Sequence, residues 1–126
     1  MIQENGKEYK VFEGDTLQKA LNKLFSEGYE VASMKKVWEL RENEKIPEEY
    51  YETNMIFQKG EIREAIKQEM LDLESLYNDG GRLIFLIDNY DGLGANSDLD
   101  DDGHFVGVRD IQQNKYCPCC VKMVEE

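Results

Sequence analysis

The residues Leu83-Ile84-Phe85-Leu86-Ile87 place the tightest constraint on this chain: five apolar side chains in a row, bounded by Gly80-Gly81-Arg82 and by Asp88. A run of five is far short of the roughly 20 residues that a membrane-spanning helix needs. Being apolar at every position, it leaves no polar face to turn to water. Such a run fits a strand inside a sheet, covered on at least part of both faces. The rest of the chain must supply neighbouring strands and a covering layer.

The flanking segments are read by periodicity. Residues 7–12 alternate and predict a short strand. Gly14-Asp15-Thr16 opens a helix, with Asp15 placed to cap the first turn and Gln18 three residues on, as in a capping box. Leu17, Ala20, Leu21, Leu24 and Phe25 then form one apolar stripe, and Gly28 ends it. In residues 29–40, Ala32, Met34, Trp38 and Leu40 share one parity and Val31 and Val37 the other, which predicts a strand. Residues 41–50 are charged, contain Ile46-Pro47 and read as a solvated connection, and residues 53–58 as a further strand. After Lys59-Gly60, Ile62, Ala65, Ile66, Met70, Leu73, Leu76 and Tyr77 predict a second helix, stopped by Gly80-Gly81. The order over residues 7–88 is βαββαβ, which resembles the ferredoxin-like unit. The expected fold is α+β, with two helices on one face of a four-stranded antiparallel sheet and Leu24, Ile66, Ile84 and Phe85 in one core. Residues 1–88 form that α+β domain. Residues 89–126 add an acidic loop, a short strand at 104–108 and a Cys-rich, knuckle-like tail packed on the same domain.

Charge narrows the partners. The 126 residues carry 15 Lys+Arg against 27 Asp+Glu, a net charge of −12. Residues 1–63 account for −3 and residues 64–126 for −9, so the acidity is concentrated in the second half. Direct binding to nucleic acid or to an anionic membrane is not expected, because both need Lys and Arg to neutralise phosphates. A hydrophobic share of 40% argues against wholesale disorder. The start, Met1 to Gly6, has no basic region followed by an apolar one, so no secretory signal is expected. The three cysteines are bunched at Cys117, Cys119 and Cys120, a poor disulfide framework. Together these features predict a cytoplasmic protein.

The tail offers a metal. In Cys117-Pro118-Cys119-Cys120, two thiolates two residues apart can bind one Zn²⁺ from a Pro-stiffened turn. Residues 111–123 resemble the C-terminal Cys-Pro-x-Cys zinc knuckle of many small bacterial and phage proteins. The resemblance implies Cys117 and Cys120 as Zn ligands. Val121 stands where the knuckle usually has Gly, and Cys119 occupies its variable position. Two further ligands are needed for a tetrahedral site. They could come from His104, the single histidine, from Cys119, from a carboxylate, or from the knuckle of a second chain in a homodimer.

A second metal reading comes from Asp98-Leu99-Asp100-Asp101-Asp102-Gly103-His104. This D-x-D-x-D-G pattern resembles the first half of an EF-hand-type calcium loop. The resemblance implies Asp98, Asp100 and Asp102 as side-chain ligands for Ca²⁺ and His104 as a backbone-carbonyl ligand. The twelfth position, where the family has a bidentate Glu, is Arg109, with Asp110 one residue late. The other reading is a hairpin turn in which Asp and Gly serve turn geometry.

No nucleophile–base pair or Gly-rich phosphate loop marks an enzyme. The enzymatic alternative is metal-dependent phosphoryl transfer by Asp88, at the end of the apolar strand, and Asp91, by fold-level analogy with nucleotidyl-transferring palms. Residues 83–108 hold no Lys or Arg to stabilise phosphate charge, so a non-enzymatic role is expected. The reading is a small acidic binding protein that engages a basic surface of a protein partner, as an inhibitor or immunity protein, phage-encoded or nucleic-acid-mimicking. Asp88, Asp91 and Asp101 would steer the partner, and Tyr90 and Phe105 would anchor it. The alternative is a metal-binding or metal-sensing module using the Asp-rich loop or the knuckle.

Overall fold

In the computed structural model, which describes residues 2–87, 93–96 and 98–111, the chain runs β1 (Ile2–Glu4), β2 (Lys7–Gly14), α1 (Leu17–Ser26), β3 (Glu30–Val31), α2 (Met34–Glu42), β4 (Tyr51–Gln58), β5 (Glu61–Glu64), α3 (Lys67–Leu71), α4 (Leu73–Asn78), β6 (Arg82–Leu86), β7 (Leu93–Asn96) and β8 (Gly103–Asp110). The fold is α+β, with a mixed eight-stranded sheet in the order β1-β2-β8-β4-β6-β7, β3 pairing with β8 and β5 with β4. It is not the expected four-stranded ferredoxin-like sheet.

Two hairpin turns account for strands that periodicity missed. Asn5-Gly6 joins β1 to β2 with φ of 53° and 79°, and Lys59-Gly60 joins β4 to β5 with φ of 54° and 80°. Positive φ at both central residues matches the twist of the flanking strands, and Gly adopts it without steric cost. Residues 61–64 are therefore a strand, and the expected long helix is two short ones. Asp72 separates them, with φ −142° and ψ 72°, and its carboxylate accepts from the Ser75 N–H to start α4. Ile66, expected in the core, is exposed ahead of α3.

The other departure is residues 29–40. Only Glu30–Val31 is strand, and α2 begins behind a Ser33 cap that accepts from the Lys36 N–H at 3.2 Å. Val37, Leu40 and Arg41 face inward while Trp38 is 37% exposed. The buried stripe is narrow, and the alternation of Ala32, Met34, Trp38 and Leu40 masks it. At α1, Thr16 and not Asp15 caps the first turn. Gln18 instead donates to the Met70 carbonyl and accepts from the Leu73 N–H, which ties α1 to the α3–α4 break. Gly28 ends α1 at φ 84°, as expected.

β8 is central. It pairs antiparallel with β2 along its whole length, from Lys7↔Asp110 to Gly14↔Gly103, and meets β4 in parallel at Glu52↔Phe105. Beyond that point β8 takes β3 as its neighbour and β4 takes β5. Side chains alternate across the strands, so two cores form on opposite faces. Phe12, Leu17, Leu21, Leu24, Met70, Leu73, Leu76, Leu83 and Phe105 pack beneath α1, α3 and α4. Tyr9, Ala32, Val37, Leu40, Ile46, Tyr51, Leu86 and Val106 pack beneath α2. Each large aliphatic side chain fully buried stabilises by about 1.5–3 kcal/mol. The apolar run at 83–87 is thus explained by cover on both faces. Leu83 and Leu86 serve different cores, and Leu24 and Ile84, expected in one core, lie on opposite sides of the sheet.

One buried ionic group fastens β2, β8 and the loop after α1. The Glu8 carboxylate accepts from the Tyr29 hydroxyl at 2.8 Å and from Arg109 Nε. Arg109 also donates to the Glu27 carbonyl and stacks over the Tyr29 ring. The Tyr29 hydrogen bond, then that of Arg109, holds the Glu8 carboxyl below its ordinary value. A carboxyl lowered on folding contributes stability that is full above its unfolded pKa, about 4.3, and is lost as pH falls through the folded value. Glu8→Gln is therefore expected to be destabilised at pH 7 and to lose less further stability than wild type on acidification below pH ~4. Denaturant midpoints at the two pH values measure this. Parallel acid slopes for both proteins would mean that Glu8 titrates alike folded and unfolded.

Candidate functional site

The turn that precedes β8 is built on its own backbone. Asp98 Oδ1 accepts from the Asp100 N–H at 2.9 Å, and the Asp98 carbonyl accepts from the Asp101 N–H at 3.2 Å. This is the Asx geometry that favours Asp in turns. Leu99 packs against the α1-side core, and its carbonyl accepts from the Leu17 N–H. The Tyr50 hydroxyl donates to the Asp102 carbonyl at 3.0 Å. The turn is thus fastened at three points, while Asp98, Asp100, Asp101 and Asp102 are all exposed.

Beside it, β2 and β8 bring Glu13 and His104 together as cross-strand partners. Glu49 reaches them from the segment before β4. Arg41 sets that segment, donating to the Glu49 carbonyl at 3.0 Å and to the Ile87 carbonyl at 2.9 Å. The Tyr51 hydroxyl donates to the Pro47 carbonyl, and Ile46 is buried. The supposed solvated connection is therefore an ordered strap. The Tyr50 ring stacks on the His104 imidazole, with centroids 4.7 Å apart and planes 18° from parallel. One ligand atom from each of Glu13, Glu49 and His104 lies within 4.8 Å of the others. The local field is negative. Burial first, and then the carboxylates of Glu52, Asp102, Asp101 and Glu49, push the Tyr50 phenol up. Burial and Glu49 push Tyr51 up as well.

Among the residues singled out from sequence, His104 is about four-fifths buried and faces Glu49. Asp98, Asp100 and Asp102 are spread along the exposed turn, and among the described residues no three carboxylates gather there at ligand spacing. Phe105 is fully buried between β2 and β4, so it has no surface to offer a partner. Asp88, Tyr90, Asp91, Cys117, Cys119 and Cys120 lie outside the described residues. Glu13, Glu49 and Tyr50 were not singled out, because nothing local in the sequence reports that these segments meet. An exposed apolar strip also went unread: Phe57, Ile62 and Leu93 border a shallow cleft floored by Ile84. No described helix is long and apolar enough to cross a membrane.

No protein-family model matches this sequence, and a search of curated proteins finds no match.

Proposed function

We propose that this chain is a small acidic binding protein without catalytic activity, which engages a basic surface of a protein partner through the Asp98–Asp102 turn. One observation carries the reading. Several acidic side chains elsewhere are matched by cations, Glu4 by Lys36, Glu8 by Arg109, Glu27 by Lys10, Glu69 by Arg63 and Asp110 by Lys7. Asp100, Asp101 and Asp102 have no such match among the described residues. Like charges held together on a fixed turn repel one another, and a basic partner relieves that repulsion. The turn is ordered before contact, so little conformational entropy is lost on docking. An inhibitor or immunity protein acting in the cytoplasm on a basic enzyme fits this arrangement.

The test is a quadruple substitution, Asp98→Asn, Asp100→Asn, Asp101→Asn and Asp102→Asn. Asn retains the Asx turn, so the fold should persist. Association with a basic partner captured from host lysate at low salt should slow by roughly tenfold or more. The dependence of that rate on salt should also flatten, because the removed charges are those that salt screens over about 8 Å at physiological strength. An unchanged rate with an unchanged salt dependence would reduce the turn to a solvated connection.

A further inference from the structure

We propose that Glu13, Glu49 and His104 form a binding site for a divalent first-row transition ion of the zinc type that needs none of the three cysteines. The argument begins with a distance. His104 Nδ1 and Glu49 Oε1 are 3.4 Å apart. At that separation the two make no hydrogen bond. The distance is the edge of a tetrahedron: a nitrogen and an oxygen each about 2.1 Å from a common Zn²⁺ stand about 3.4 Å apart.

A second observation concerns the imidazole itself. His104 Nδ1 is buried and has no hydrogen-bond partner. A buried ring nitrogen normally finds one, and leaving it unsatisfied costs about 1–3 kcal/mol. An ion between Nδ1 and Glu49 supplies that partner. Stacking on Tyr50 fixes the plane of the imidazole, and Arg41 fixes the backbone of Glu49. The imidazole is therefore oriented in advance, as a metal site requires. Glu13, exposed and directly across from His104, closes over the ion from the solvent side. One imidazole and two carboxylates suit Zn²⁺, Mn²⁺ or Fe²⁺. Three protein ligands leave a position for water or for a group from a partner.

The experiment is titration of the full chain with Co²⁺, followed by its visible spectrum. Binding at this site gives a spectrum without thiolate-to-cobalt charge transfer, and it persists when Cys117, Cys119 and Cys120 are all replaced by Ser. Glu49→Gln and His104→Ala should each weaken the ion by roughly tenfold or more, since each removes one of three protein ligands. Glu13→Gln, at an exposed position that the fold does not need, should do the same and serves if the others fail to fold. Glu61→Gln, exposed on β5, should leave binding unchanged. No binding to the Ser-substituted chain, affinity equal to wild type in Glu13→Gln, or an equal loss in Glu61→Gln would each overturn the proposal. None of these measurements involves a protein partner, so their outcome is independent of the binding role of the acidic turn.

Discussion

Phe105→Ala is expected to destabilise the protein by about 3–5 kcal/mol, the usual range for truncating a buried aromatic side chain. Phe105 is fully buried on β8, paired with Phe12 on one side and Glu52 on the other, beneath α1. Transfer of the ring back to water accounts for up to about 3 kcal/mol. The remainder is the cavity, about 24 cal/mol per Å³ that cannot close. Pairing with β2 and β4 holds the β8 backbone on both sides, so the strand cannot move inward without breaking ladder hydrogen bonds. A domain with a typical 5–15 kcal/mol of stability would lose much of it. Urea denaturation should show a lowered midpoint at an unchanged slope. A loss below about 1 kcal/mol, the scale of a volume-conserving swap, would show that β8 is peripheral to the core.

Gly14→Ala is expected to be nearly as severe although it adds a single methyl group. A Cβ at Gly14 would stand 2.6 Å from the Ala20 nitrogen and 3.0 Å from the Ala20 Cα. Its cross-strand partner Gly103 is as tightly covered, with 2.9 Å to the Ala20 Cβ and 3.0 Å to the Leu17 Cα. The first turns of α1 thus rest directly on a pair of glycines, and the obstructing atoms at Gly14 are helix backbone, not a side chain that can rotate away. Ala in the unfolded chain has less entropy to lose, which favours the variant by about 0.4–1 kcal/mol. Overpacking at about 1–3 kcal/mol, and more against backbone, outweighs that gain. Glu13 and His104 adjoin these two glycines, so Co²⁺ binding should weaken in Gly14→Ala along with stability. The control is Gly60→Ala, which meets no neighbouring atom but sits at φ 80°. Its cost reflects backbone strain alone and should leave Co²⁺ binding intact.

These two substitutions mark the boundary of what the sequence reveals. α1 was legible because Leu17, Ala20, Leu21 and Leu24 repeat at the helical period, and all four are buried. β6 was legible from its unbroken apolar composition, and most of β4 from its strand-forming residues. α2 was not, because its inward face is narrow and alternation among its neighbours imitates a strand. β1 and β5 escape periodicity because β1 is three residues long and β5 is exposed at every position. His104 stood out as the single histidine, but Glu13 and Glu49 looked like any other acidic side chains.

What the sequence determined by itself is whatever depends on neighbours along the chain: the stripe of α1, the Gly28 stop, the need to cover residues 83–87 on both faces, and the concentration of negative charge after residue 63. What only the tertiary structure decided is which distant segments share a strand register. β8 lies between β2 and β4, where its Phe105 and Val106 fill cores on opposite faces at once. That placement sets Glu13 beside His104, and Arg41 then brings Glu49 to both. The periodicity of a chain reports which face a residue takes, while the partner across the sheet is selected by packing of the whole.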